Sequence, residues 1–197
     1  MKKNRTNRAN KIMRSKKINK LVIIGVIAII AIVIGISVTS IRMPANAAAP
    51  IDGIECNTME QSVFHIHAQL NMFINGKNYT VPPLIGQTNY CLYWMHTHDN
   101  SGIIHIESPV NRTFDLGHFF DIWKQKFNNT QVLNNTADAN HPLSVYVNGT
   151  KISNSTNYRD IALHAHDIIT IVYGQAPSSI PNKADFTAVD PQQIKPR

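Results

Sequence analysis

The 197-residue chain carries a formal net charge of +7, from 19 Lys and Arg against 12 Asp and Glu. Nine of the cations fall in residues 2–20 and all twelve acids lie beyond residue 50, so residues 43–197, with nine Lys and Arg, are slightly acidic. A nucleic-acid binder needs a basic face on the folded domain itself, and this distribution argues against one.

Residues 1–20 read as a basic cytoplasmic segment. Residues 21–39, LVIIGVIAIIAIVIGISVT, hold no charge. As a helix at about 1.5 Å per residue they span roughly 28 Å, close to the hydrocarbon core of a bilayer. The expectation is a transmembrane signal anchor over 21–40, with the rest of the chain outside the membrane. The alternative is a cleaved signal peptide, because "PANAAAP" at 44–50 offers an Ala-x-Ala pattern, in which case the protein is secreted. Residues 41–53, rich in Ala and Pro, form a linker.

Cys56 and Cys91 are the only cysteines, and both follow the apolar run. An even pair in an oxidising compartment is most simply one disulfide. Asn78, Asn111, Asn128, Asn134, Asn148 and Asn154 each begin an Asn-x-Ser/Thr sequon, which suits a glycosylated surface protein.

The folded domain is expected over 54–176. Within it "LNMFING" (70–76) and "LSVYVNG" (143–149) match in apolar character, and each is a strand pattern ending in the Asn-Gly hairpin signal. "MHTHDNSGIIHI" (95–106) echoes "LHAHDIITI" (163–171) if three residues are an insertion, so two related β units are expected. Between them, "TFDLGHFFDIWKQKF" (113–127) places Leu116, Phe119, Phe120, Trp123 and Phe127 at helical spacing after the potential caps Thr113 and Asp115. The fold class is therefore α+β and β-rich: a mostly antiparallel sheet, two strand-NG-hairpin units and one covering amphipathic helix. The four prolines of 177–197 point to an extended or disordered tail.

All nine histidines lie in the outer part, six of them as His-x-His pairs: His65/His67, His96/His98 and His164/His166. Residues i and i+2 of a strand share a face, so each pair sets two imidazoles side by side. If Asp99 to Gly102 turn the chain, His96 opposes His105, His98 opposes Ile103 and Trp94 opposes Glu107. Three imidazoles then sit within reach of one ion, in the manner of a three-histidine zinc or copper site with an open position. A bulge in the turn would break this register. His65 and His67 could reach the same face from a neighbouring strand, giving second-layer groups or a second ion. Glu107 and Asp99 are candidates to orient ligands, although turn chemistry suits Asp99 and Asp167 better. In the second unit Thr170 stands where His105 would fall, leaving His164 and His166 a poorer site. His118 and His141 read as structural or exposed. Cys91, Met95 and His96 invite a blue-copper reading, but that would require Cys91 to be free. Phosphate-loop, dinucleotide, Cys-x-x-Cys and nucleophile-elbow motifs are missing.

"HIHAQLNMFINGKNYTVPPLIG", "CLYWMHTHDNSGIIHIESP" and "TFDLGHFFDIW" together resemble a group of uncharacterised secreted or membrane-anchored proteins of archaea and bacteria. Their pattern is H-x-H-A-x-L, an N-G turn, then W-x-H-T-H-D-x-S-G-I-I-H-x-E. The resemblance covers about residues 54–174. It implies that His65, His67, His96, His98 and His105 belong to a shared pattern, with Cys56 and Cys91 as its cysteine pair, and it implies no activity. The Asn- and Ile-rich composition resembles that of archaeal surface proteins.

The leading expectation is a membrane-anchored, extracytoplasmic binder of copper or zinc, with His96, His98 and His105 as primary ligands and His65 and His67 completing the site. Two other readings stand beside it. One is a metal-dependent hydrolase or hydratase whose three-histidine site lowers the pKa of a bound water to about 7. The other is a glycosylated interaction module with structural histidines and a cell-surface protein partner.

Overall fold

The computed structural model describes residues 48–189, together with Val26 and Ile27. The expected cytoplasmic segment, all of the anchor but Val26 and Ile27, and most of the linker lie outside the described residues. Among the described residues no helix is long and apolar enough to cross a membrane.

The compact unit that begins at Ala47 holds, among its described residues, twelve strands and one α-helix. Their order is β1 (Cys56–Asn57), β2 (Phe64–Ile74), β3 (Lys77–Tyr79), β4 (Leu92–Tyr93), β5 (Met95–His96), β6 (Ile103–Ser108), α1 (Leu116–Trp123), β7 (Phe127–Asn128), β8 (Gln131–Val132), β9 (Asn135–Thr136), β10 (Leu143–Val147), β11 (Thr150–Lys151) and β12 (Ile168–Tyr173). The main sheet runs β11-β10-β12-β2-β6-β5, and β3 pairs with β2. All its pairings are antiparallel except that of β12 with β2. The architecture is β-rich and mostly antiparallel with one helix, as the sequence patterns imply.

Strand β2 organises the sheet. Its 11 residues are enough to pair with β6 through Phe64–Gln69 and with β3 and β12 further along. Alternation sends Ala68, Leu70 and Met72 to one face, where they are buried with Met95, Ile104, Ile106, Val145, Ile169 and Ile171. The helix closes this layer with Leu116, Phe119 and Phe120.

Both Asn-Gly pairs form the expected hairpin turns, β2–β3 and β10–β11. Asn75 and Gly76 take φ of 51° and 77°, and Asn148 and Gly149 take 52° and 80°, the left-handed pair that a two-residue hairpin with matching twist requires. In each unit a later strand returns antiparallel to the hairpin's first strand: β6 to β2, and β12 to β10. The registers differ. β6 lies along the residues ahead of the "LNMFING" echo, whereas β12 lies along "LSVYV" itself.

The helix is shorter than the 113–127 pattern. His118 Nδ1 accepts the Asp115 N–H at 2.9 Å and caps the start. Lys124 turns left-handed, φ 59°, and ends the helix. Phe127 leaves the stripe for β7, yet still stacks on Phe120 with ring centroids 4.3 Å apart. Its apolar character matches the core, not the helix period.

Cys56 and Cys91 form a disulfide across a separation of 35 residues. The β1–β4 pairing, Cys56 opposite Tyr93, seats them together. Closing a loop of that length stabilises the fold by about 3 to 4 kcal/mol through the unfolded chain. Chemical denaturation of the Cys56→Ser, Cys91→Ser double variant should show a loss of that size, and an unchanged midpoint would refute it.

Candidate metal centre

Parity builds the site. With the even residues of β2 in the core, His65 and His67 take the opposite face. The β2–β6 register places His65 against Glu107 and His67 against His105. The β5–β6 register places His96 against His105, and the Glu107 N–H donates to the Trp94 carbonyl at 2.8 Å. The register expected from the sequence is the one observed, and His65 and His67 do reach the hairpin.

One expected placement changes. His98 is not a strand residue opposite Ile103, because β5 ends at His96. Thr97 turns its backbone to the 84–85 segment instead: its N–H donates to Ile85 O at 3.0 Å and its carbonyl accepts the Leu84 N–H at 3.1 Å. Its hydroxyl accepts the Ile85 N–H and donates to Pro82 O. The chain then crosses to β6 through Gly102, φ 82°, where a Cβ would lie 2.4 Å from Leu70 O. From this loop the His98 ring still folds back, with Nε2 3.2 Å from His96 Nε2.

The donors fall into three overlapping groups, two of which share His105. In the first, His65 Nε2 lies 3.2 Å from His67 Nε2, and His67 Nε2 lies 3.1 Å from His105 Nδ1. Glu107 Oε1 lies 3.3 Å from His65 Nε2 and 3.7 Å from His105 Nδ1. All four donors lie within 4.8 Å of one another. An ion with tetrahedral arms of 2.0–2.1 Å needs ligand separations of about 3.3 Å. Four of the six spacings bracket that value, and the other two are within 4.8 Å. The second group is His96, His98 and His105, and Glu60 also groups with His96 and Glu107.

Burial is graded across the cluster. His67, His96, His105 and Glu107 are buried, whereas His65, His98 and Glu60 are exposed. The His96 ring is held in one tautomer, because its Nδ1–H donates to the Tyr93 carbonyl at 2.9 Å and leaves the Nε2 lone pair facing His98. A ligating histidine is ordinarily fixed in this way by a hydrogen bond from its other nitrogen. Glu107 Oε2 is buried with no hydrogen-bond partner among the described residues.

Burial pushes the His96 imidazole down to about 4, against the opposing pull of the Tyr93 carbonyl and Glu107. Burial by itself would raise the Glu107 carboxyl, but the hydrogen bond to His105 and the nearby His96 and His65 rings hold it below the ordinary carboxylate range. Ligands to a cation must be neutral imidazole and carboxylate, the states in which His96 and Glu107 are held.

The remaining expected residues fall elsewhere. Glu107, expected behind the ligands, stands at ligand distance itself. Asp99 is exposed and serves the turn, its Oδ1 accepting the Ser101 N–H at 2.9 Å. His164 and His166 sit in a loop before β12, not on a strand. His166 has φ 65°, and Asp167 ties that loop by accepting from the His164 N–H and from Asn148 Nδ2. His141 pairs with Asp138. The six sequon asparagines are all exposed. Glu60 is a group that sequence reasoning missed, since nothing in its neighbourhood along the chain marks it. No family model matches the chain, and neither the curated proteins nor the solved structures show a significant match.

The buried neutral His96 sets a pH dependence for the metal-free protein. Between pH 6.5, the ordinary histidine value, and about 4 the unfolded chain binds a proton that folded His96 refuses. Stability therefore falls as pH drops through that window, by up to about 1.4 kcal/mol per unit, and this contribution levels off below it. Glu107, with its depressed carboxyl, adds a loss in the same direction at lower pH. In urea titrations across this range, His96→Gln should flatten the slope. An equal slope in both proteins would show that the ring is not held neutral.

Proposed function

We propose that this protein binds a transition-metal ion, copper or zinc, on the outer face of a membrane to which an N-terminal helix anchors it. The observation that carries the reading is the convergence of His65 Nε2, His67 Nε2, His105 Nδ1 and Glu107 Oε1, with four of their six separations at 3.1–3.7 Å and all within 4.8 Å, close enough to share one ion. Three imidazoles and a carboxylate suit zinc and copper among common ions. The protein supplies all four donors, so this set favours holding an ion over activating a water, which needs an open position. The Cys56–Cys91 disulfide supports an oxidising, extracytoplasmic location. The uncharged run at 21–39 behind nine cations supports the anchor and its orientation.

The test is metal content of the full chain, purified in detergent without a histidine tag. At least one copper or zinc per chain should survive dialysis after loading. Free metal at one hundred times its dissociation constant should raise the unfolding free energy by about 2.7 kcal/mol. The double variant His65→Gln, Glu107→Gln leaves the core face and disulfide intact. It should weaken binding by more than the roughly 10- to 100-fold that loss of an outer hydrogen-bond partner costs. No retained metal in the native protein, or equal affinity in the variant, would overturn the proposal.

A further inference from the structure

We infer that His105 bridges two metal ions through its two ring nitrogens, one ion in the buried His65–His67–Glu107 set and a second in an outer set of His96, His98 and Glu60. The inference rests on the metal-binding reading and goes beyond it in stoichiometry, in the role of one residue and in the nature of the second site.

Five histidines and two carboxylates gather over one sheet face, His98 and Glu60 from flanking loops, more than one tetrahedral ion can use. They form three overlapping groups: His105 is shared by the His65–His67–Glu107 and His96–His98 groups, and the third joins Glu60 and His96 to Glu107. The Nδ1 of His105 is committed to the inner group, 3.1 Å from His67 Nε2 and 3.7 Å from Glu107 Oε1. The second nitrogen, Nε2, lies across the ring and carries the proton of the neutral ring, so once that proton leaves it can serve only a different ion. The outer histidines flank this ring. His98 meets it edge-on, with centroids 4.4 Å apart and planes at 87°, and His96 stacks parallel to it at 5.4 Å.

The outer group has the marks of a ligand set on its own account. His96 Nε2 and His98 Nε2 are 3.2 Å apart, again close to a tetrahedral edge. The Tyr93 carbonyl fixes the His96 tautomer that points Nε2 inward to this group. Glu60 Oε1 lies 3.5 Å from His98 Nε2 and offers a fourth donor. Two ions joined through one imidazole ring, each about 2.0–2.1 Å from its nitrogen, lie roughly 6 Å apart. Binding the second ion replaces the remaining ring proton of His105, which leaves to the buffer, and no electron changes hands.

The sites differ in access. Three of the four inner donors are buried, whereas His98 and Glu60 of the outer set are exposed. The inner ion is therefore the retained one and the outer ion the exchangeable one.

Copper(II) and zinc(II) salts are the probes, added to the metal-stripped full chain in detergent and read by electron paramagnetic resonance together with metal analysis. An imidazolate bridge couples two copper(II) spins. One equivalent of copper should give an isolated copper signal. The second should reduce the signal per copper well below the value for independent ions, and one zinc with one copper should restore it. His98→Gln, at an exposed position outside the inner set, should keep one ion and show no coupling. Two uncoupled ions, a single ion in the native protein, or a coupled pair that survives in His98→Gln would each overturn the bridge while leaving the metal-binding reading standing. No ion at all would sink both.

Discussion

The register between β2 and β6 is the constraint on which the rest of the structure depends. Ala68, Leu70 and Met72 must lie with Ile104 and Ile106 in the core, and each buried large aliphatic side chain contributes roughly 1.5–3 kcal/mol. A slip of one residue would turn that whole apolar set outward. The same register sets His67 opposite His105 and His65 opposite Glu107. The free energy that assembles the donors thus comes from the other face of the sheet. The histidines need contribute nothing to folding to be held at ligand spacing, and their positions are pre-organised before any ion arrives.

A buried face of this composition is costly if it serves only the fold. A buried polar group without its partner costs about 1–3 kcal/mol, and Glu107 Oε2 is such a group among the described residues. The sheet supplies its own comparison. Along β12, paired to the other edge of β2, the same face carries Thr170 and Val172, both buried; Thr170 Oγ1 also lacks a hydrogen-bond partner among the described residues, but it is a neutral hydroxyl and not a carboxylate. The fold accepts ordinary strand residues there. Histidine and glutamate gather only where β2, β5 and β6 lie side by side, which is the pattern of a site and not of a sheet surface in general.

What could be read from the chain alone was local. The Asp-Asn-Ser-Gly turn fixed His96 against His105, the Asn-Gly pairs fixed two hairpins, and the apolar period marked the helix. The pairing of β2 with β6 joins residues some forty positions apart, and no short-range pattern encodes it, so whether His65 and His67 would join the hairpin was beyond reach. The insertion of β12 between β10 and β2 is hidden for the same reason, since parallel neighbours are set by the crossover and not by a turn. His98 left its strand because Thr97 finds partners on the 84–85 segment. His164 and His166 carry the same His-x-His spacing as the other pairs but lie in a loop, which shows that alternation constrains only residues that are in a strand.

The disulfide has a role in this arrangement that its distance from the histidines conceals. Cys56 lies four residues before Glu60, and Cys91 lies five before His96. The β1–β4 pairing adds Cys56 to Tyr93, whose carbonyl holds the His96 ring. The crosslink therefore fastens the segment bearing Glu60 to the segment bearing His96 and His98, whereas the β2–β6 pairing that assembles the inner donors runs without it. The two halves of the cluster are secured by different means, one by hydrophobic register and one by a covalent bond that persists only in an oxidising environment. The outer donors are accordingly tied by a crosslink that holds only where the disulfide persists, and the inner donors are held wherever the domain folds.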